Sequence, residues 1–314
     1  MDRIEAGRGT RLLVPLALIS VYFIWGSTYL ALRFGLEGFP PFLLNGLRFT
    51  IAGALVYPLA RLSGAARPTR TQVWNAARMG MLLLVGGVGG MTLALQAGIG
   101  SGLAATAAAV IPVWTAVTGG LFGQWPVRRE WVGLAIGLAG VVILVQEGDF
   151  QASAFGLVLA VAAPLSWSIG SIWGSNREMP SGLMSVAVQL GTAGIAMLGI
   201  GLAMGERISA APGTKAALSL AYLIVFGSVV AYTAYVYLLD NVRQALATSY
   251  AYVNPVVAMA LGLTMGDEVV TGPVVIALPL ILVSVALVAA QGRPRKRIAA
   301  VDLTPVDSLA DAGV

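Results

Sequence analysis

The sequence contains no cysteine and no histidine, and only 11% of its residues are charged. The first absence excludes disulfides, thiolate nucleophiles and thiol redox chemistry. The second removes the commonest metal ligand and the commonest general base at neutral pH. The third excludes a water-exposed globule, whose surface calls for about 25% charged residues. Acidic residues are also missing from the middle of every long apolar run: Glu147, Asp240, Asp267 and Glu268 all stand at run ends. No G-x-x-x-x-G-K-[ST] phosphate loop occurs. An enzyme embedded in the bilayer needs convergent titratable groups at depth, and a nucleotide-driven pump needs the phosphate loop. Neither requirement is met, so catalytic residues, a metal site and cofactors are not expected.

What is present is apolar. Hydrophobic residues make up 58% of the chain, and the mean hydropathy is +0.85. A bilayer span takes about 20 mostly apolar residues. Ten stretches meet that need: 12–32, 41–61, 78–98, 102–123, 131–147, 153–174, 182–204, 216–239, 245–265 and 271–291. Turn chemistry separates them, as in Gly38-Phe39-Pro40-Pro41, Gln124-Trp125-Pro126 and Met179-Pro180-Ser181-Gly182. The run that starts at Leu12 is too long for the core of a cleavable leader and reads as the first membrane helix.

The basic residues orient these spans. With the N-terminus inside, the cytoplasmic segments hold fifteen Lys and Arg, including Arg61, Arg67, Arg128, Arg129, Arg243 and Arg293. The outer segments hold Arg33, Arg207 and Lys215, and Arg48 lies within the second span. This asymmetry fits the positive-inside rule, with both termini cytoplasmic. The pI of 9.7 therefore reports topology and attraction to a membrane surface, not a nucleic-acid partner.

The fourth and ninth spans repeat one another at an offset of about 143 residues. Leu103, Ala104, Ala108, Val110, Pro112, Val113, Gly119 and Gly123 recur as Leu246, Ala247, Ala251, Val253, Pro255, Val256, Gly262 and Gly266. Trp25 and Trp167 form another matched pair. Such self-similarity marks a duplication. Each copy holds five spans, an odd number, so the second enters from the opposite side. Inverted repeats of this kind place a substrate site near the midplane between the halves and alternate access around it. The expected fold is therefore all-α and polytopic, ten transmembrane helices in a 5+5 inverted-topology repeat. Its parts are a cytoplasmic N-tail (1–11), a first repeat (12–147), a second repeat (153–291), and a basic, then disordered, C-tail (292–314).

Trp25-Gly26-Ser27 in the first span, Asn45-x-x-Arg48-Phe49 in the second, and the prolines of the fourth and ninth spans accompany this duplication. In these features the chain resembles the drug/metabolite transporter superfamily and, within it, the EamA-type exporters, which include exporters of aromatic and other amino acids. The resemblance covers residues 12–291. It implies a bacterial inner-membrane protein that moves small organic metabolites without hydrolysing a nucleotide.

Several side chains are candidates for a substrate cavity. Pro112 and Pro255 each remove a helical hydrogen bond and bend the helix, freeing carbonyls near Ala108 and Ala251 either to frame a cavity or to accommodate packing. Tyr250, Tyr252 and Asn254 precede Pro255, and a tyrosine suits a ligand that is part apolar and part polar; aromatic packing is the alternative. Trp25 and Trp167 sit mid-span, away from the interfacial belt where Trp and Tyr gather. Trp25 and Tyr29 on the first span and Ser166 and Trp167 on the sixth are read as lining, with Trp114 able to face either way. Trp74, Trp125, Trp131 and Trp173 are read as belt residues. Gln96, Thr106, Thr248 and Ser249 serve as ligands or as hydrogen-bonding glue between helices. Arg48 is the one charge inside a span, and an intramembrane ionisable group points to function. It can meet a substrate carboxylate, or be satisfied by Asn45 and nearby carbonyls. Gly133-x-x-x-Gly137 permits close helix approach, within the chain rather than between two copies.

The expected function is a secondary, non-ATP transporter that exports small metabolites, amino acids including aromatic ones first among them. Other metabolites such as purines, sugars or drugs are the alternative. A channel is less favoured, because channels usually assemble symmetrically around a pore. The partners are then a small-molecule substrate and the lipid bilayer, and the protein is read as a monomer, with a dimer as the alternative.

Overall fold

The computed structural model describes residues 2–98, 104, 107–145, 153–265 and 272–289. Thr106, Glu147, Asp267, Glu268, the start of the fourth span and the C-terminal tail lie outside the described residues. Within them, every regular element is helical. Lipid offers the backbone no hydrogen-bond partners, and a helix satisfies its own. Among the described residues six helices are long and apolar enough to cross a membrane: Leu12–Leu36, Pro41–Leu62, Arg70–Gln96, Ala154–Ser175, Gly182–Ala203 and Thr214–Asn241. Further helices lie within the remaining expected spans, Ile111–Leu121 in the fourth among them.

In chain order these are α1 (Asp2–Leu36), α2 (Pro41–Leu62), α3 (Arg70–Gly80), a π-helical segment π1 (Met81–Gly89), α4 (Gly90–Gln96), α5 (Ile111–Leu121), α6 (Arg128–Val145), α7 (Ala154–Ser175) and α8 (Gly182–Ala203). Then come α9 (Thr214–Tyr222), π2 (Leu223–Val230), α10 (Ala231–Asn241), α11 (Gln244–Ala247), α12 (Tyr250–Met265) and α13 (Gly272–Ala289). α3-π1-α4 and α9-π2-α10 are each one continuous rod. Helix α1 begins at Asp2, so the backbone of the expected N-terminal tail is helical.

One expectation fails in its local form. Pro112 does not bend a helix from within. It stands in the first turn of α5, where an N–H would have no intrahelical partner to lose. Pro255 does sit inside its helix, α12. The two prolines share a register in the sequence but not a role. The ninth span is instead interrupted at Thr248 and Ser249, between α11 and α12.

Small residues set the tightest crossings. α2 lies against α8, and a Cβ on Gly53 would fall 2.7 Å from the backbone N of Gly191. α6 lies against α13 through the expected glycine pair: Ser284 Oγ donates to the Gly133 carbonyl at 2.7 Å, and a Cβ on Gly137 would strike Ser284 and Tyr252. Close backbone approach of this kind is how helices associate where lipid removes the hydrophobic drive. α1 packs mainly on α9–α10 and α12, from the second half of the chain. α7, from the second half, packs mainly on α3–α4 and α5, from the first. This exchange brings the two mid-span tryptophans to the centre of the molecule.

Candidate functional site

The two π-helical segments help place the centre. They begin at Met81 and Leu223, 142 residues apart (223 minus 81), the same spacing as Trp25 and Trp167 (167 minus 25). π-Winding is rare and occurs often at functional sites. π1 offers Gly87 to Trp167, where a Cβ would come within 2.9 Å of the indole ring. π2 offers the Gly227 carbonyl to Trp25, whose Nε1 donates to it at 3.1 Å. Each tryptophan is thus seated on the π-segment of the other half.

The two indoles meet edge to face, with ring centroids 5.4 Å apart at 86°. Tyr250 stands 4.8 Å from Trp25, and Tyr235 lies 5.1 Å from Trp25 and 5.3 Å from Trp167. The Tyr235 hydroxyl accepts from Trp167 Nε1 at 3.0 Å and pairs with Ser171 Oγ at 2.7 Å. Aromatic pairs in such geometries contribute about 0.5–1.5 kcal/mol each beyond burial, so this cluster is stiff. Tyr232, the next aromatic along, donates its hydroxyl to Gln189 Oε1 at 2.5 Å.

Beside the cluster is a cavity of about 100 Å³. Trp25, Tyr29, Arg48, Trp167, Tyr250 and Asn254 line it, as do Thr28, Gly87, Gly227 and Tyr232. Asn254 is hydrogen-bonded to Tyr29, and its Oδ1 is buried without a partner. Arg48 is 4% exposed. Its Nε donates to Ser228 Oγ at 2.7 Å, and Phe49 lies beneath its guanidinium at 4.9 Å. Asn45 plays no part in holding it, since its amide donates to the Pro41 carbonyl and to Thr92 Oγ1, both at 3.0 Å.

The remaining candidates lie elsewhere. Tyr252 is fully buried against α6, its hydroxyl donating to the Leu134 carbonyl at 3.2 Å. Ser166 donates to the Leu82 carbonyl at 2.8 Å, which ties α7 to π1. Trp114 is half-buried away from the cavity. Pro255 is buried in α12 and does not line the cavity. Gln96 is exposed and belongs to a separate vestibule of about 740 Å³, with Arg33, Glu37 and Arg207. That vestibule sits one turn beyond the cavity along α1 and α4: Leu32 and Met91 line the cavity, Leu36 and Leu95 the vestibule. Pro112 lines a third hollow of about 290 Å³, with Glu130 and Arg243. Sequence reasoning passed over Tyr232, Tyr235 and Ser228. The i, i+3 spacing of Tyr232 and Tyr235 in an apolar run was the available signal.

The sequence profile of the EamA-like transporter family matches residues 12–146 and, a second time, residues 154–290. An uncharacterized inner membrane transporter of Escherichia coli strain K12, YedA, is 41% identical over 280 residues, 88% of this chain and 92% of the relative. A probable amino-acid metabolite efflux pump of the same organism is 25% identical over 271 residues, 82% and 88% of the two chains. A crystal structure of 22% sequence identity shares the fold, with a TM-score of 0.72 over 89% of this chain and 96% of that one. The cavity therefore lies within a multi-pass transporter of the bacterial inner membrane, and the chain belongs to the EamA-like transporter family, part of the drug/metabolite transporter superfamily.

Proposed function

We propose that this transporter is a secondary carrier, not an enzyme, that exports small metabolites, foremost amino acids including aromatic ones. Two five-helix halves, threaded in opposite senses with both termini in the cytoplasm, work by alternating access around the central cavity. The observation that carries this reading is the cavity at the Trp25–Trp167 contact, where side chains of both halves meet. Its aromatic walls suit an apolar side chain, while Arg48 and the free Oδ1 of Asn254 supply the opposite polar characters that a zwitterion presents. The 25%-identical relative named as an amino-acid metabolite efflux pump supports the same substrate class. The lining residues expected from the sequence and gathered at the cavity (Trp25, Tyr29, Trp167, Tyr250 and Asn254) form its binding surface.

Counterflow in proteoliposomes tests this. Vesicles loaded with unlabelled amino acid are expected to accumulate the labelled form transiently, with purines and sugars inert. Trp25→Ala and Trp167→Ala are each expected to reduce the initial rate about tenfold or more, since truncating a central aromatic anchor costs roughly 2 kcal/mol. Absence of counterflow for the whole amino-acid panel with wild-type protein would overturn the proposal.

A further inference from the structure

We infer that Arg48 and Ser228 form an anion subsite in the cavity wall, and that this subsite takes the carboxylate of an organic acid with a compact, apolar body. The inference deepens the carrier reading above and rests on it for the word substrate, but not for the subsite itself.

Arg48 is a buried guanidinium without a carboxylate. Among the described residues the ion pairs are Lys215–Glu37 and Arg243–Glu130, and neither reaches the cavity. A guanidinium keeps its charge at neutral pH and carries five N–H donors. One of these, at Nε, goes to Ser228, which leaves the four on the terminal nitrogens. A buried charge is heavily penalised unless an opposite charge and further hydrogen bonds offset it. This protein nevertheless holds the charge in one fixed pose. Ser228 grips the Nε edge, Phe49 supports one face, and Gly227 leaves the space that Nη2 occupies, since a Cβ there would sit 2.7 Å away. The Gly227 carbonyl is already taken by Trp25. The free edge therefore presents parallel N–H groups, the geometry that a carboxylate accepts in bidentate fashion. The neighbouring walls are apolar and aromatic. The missing counter-charge is therefore a small organic carboxylate.

The test uses purified full-length protein in nanodiscs, with benzoate as the probe and benzamide and chloride as controls at constant ionic strength. Benzoate is expected to raise the melting temperature of the wild type with saturable dependence, while benzamide and chloride do not. Arg48→Gln is expected to weaken benzoate binding at least thirtyfold, about the loss seen when one partner of a desolvated charge pair is removed. Ser228→Ala is expected to weaken it about fivefold. Arg48→Lys, which keeps the charge and guards against a folding artefact, is expected to fall between them. Benzoate binding unchanged in Arg48→Gln, equal stabilisation by benzamide, equal stabilisation by chloride, or no benzoate effect on the wild type would each overturn the subsite. A wild type that binds benzoate through Arg48 yet shows no amino-acid counterflow would retain the subsite and refute the amino-acid carrier.

Discussion

Two arginines of this chain are held in opposite ways. Arg243, at the junction of α10 and α11, makes a two-pronged bridge to Glu130. Its Nε stands 2.7 Å from Oε1 and its Nη2 2.9 Å from Oε2, and the same Oε2 accepts the backbone N–H of Val127. Glu130 is 1% exposed, Arg243 about a third. Nearby, Gln244 Nε2 donates to Ser175 Oγ at 2.7 Å and Gln124 Nε2 to Asn176 Oδ1 at 2.9 Å. The Glu130–Arg243 and Gln124–Asn176 contacts tie the first half of the chain to the second at this end, and the buried Glu130 charge is answered internally. Arg48 is more deeply buried, and its hydrogen-bond partner is a neutral hydroxyl. A saturated arginine holds architecture together. An unsaturated one in a cavity is what the proposed carboxylate subsite requires.

The contrast can be broken most forcefully at Arg48. Arg48→Gln is expected to reduce carboxylate transport about a hundredfold while leaving the melting temperature unchanged or higher, because the variant removes a buried charge that has no internal partner. Proteoliposome flux and a thermal melt on the same preparation check both halves. A large fall in melting temperature with intact flux would reverse the assignment. At the other arginine the signs are opposite. Arg243→Gln leaves the Glu130 carboxylate buried with one backbone donor, and is expected to destabilise by about 2 kcal/mol, a value already discounted for the exposed third of Arg243. Denaturation of Arg243→Gln and Glu130→Gln, alone and combined, should show strong non-additivity; additive losses would mean that the bridge does not hold the two halves together. The smallest effect is expected at the other ion pair, Lys215–Glu37. Lys215 Nζ and Glu37 Oε1 are 2.7 Å apart, but both side chains are about half exposed, so Lys215→Ala should leave stability and flux unchanged within error.

Much of this was legible in the sequence. Hydropathy marked five of the six long apolar helices to within four residues and missed the first eight residues of the third, which starts at Arg70, because Arg70–Ala77 is polar; the matched offsets of Trp25 and Trp167 pointed to a shared centre. Asn254 and Tyr250, four apart, were readable as one helical face. Pro112 was misread because a proline looks the same in composition whether it kinks a helix or opens one; the distinction depends on where the preceding turn ends. Tyr252 shared its neighbours' chemistry but, two residues from Tyr250, points toward α6. The Glu130–Arg243 bridge joins positions 113 residues apart and has no local signature. π-Winding had only a hint, the run Gly86, Gly87, Gly89 and Gly90, which makes room for Ser166, Trp167 and Ala163. Ser228 became informative only when the fold set it beside Arg48.

The edge-to-face contact of Trp25 with Trp167 has an optical consequence. Two indoles 5.4 Å apart, nearly perpendicular and fixed in a chiral frame, couple their near-ultraviolet transitions, and Tyr235 and Tyr250 lie close enough to pass excitation to them. Trp74, Trp125 and Trp131 sit at exposed positions, where averaging over rotamers weakens any such signal. The centre of this protein thus carries its own chromophore, and a ligand entering the cavity is expected to alter its dichroic spectrum without any label attached.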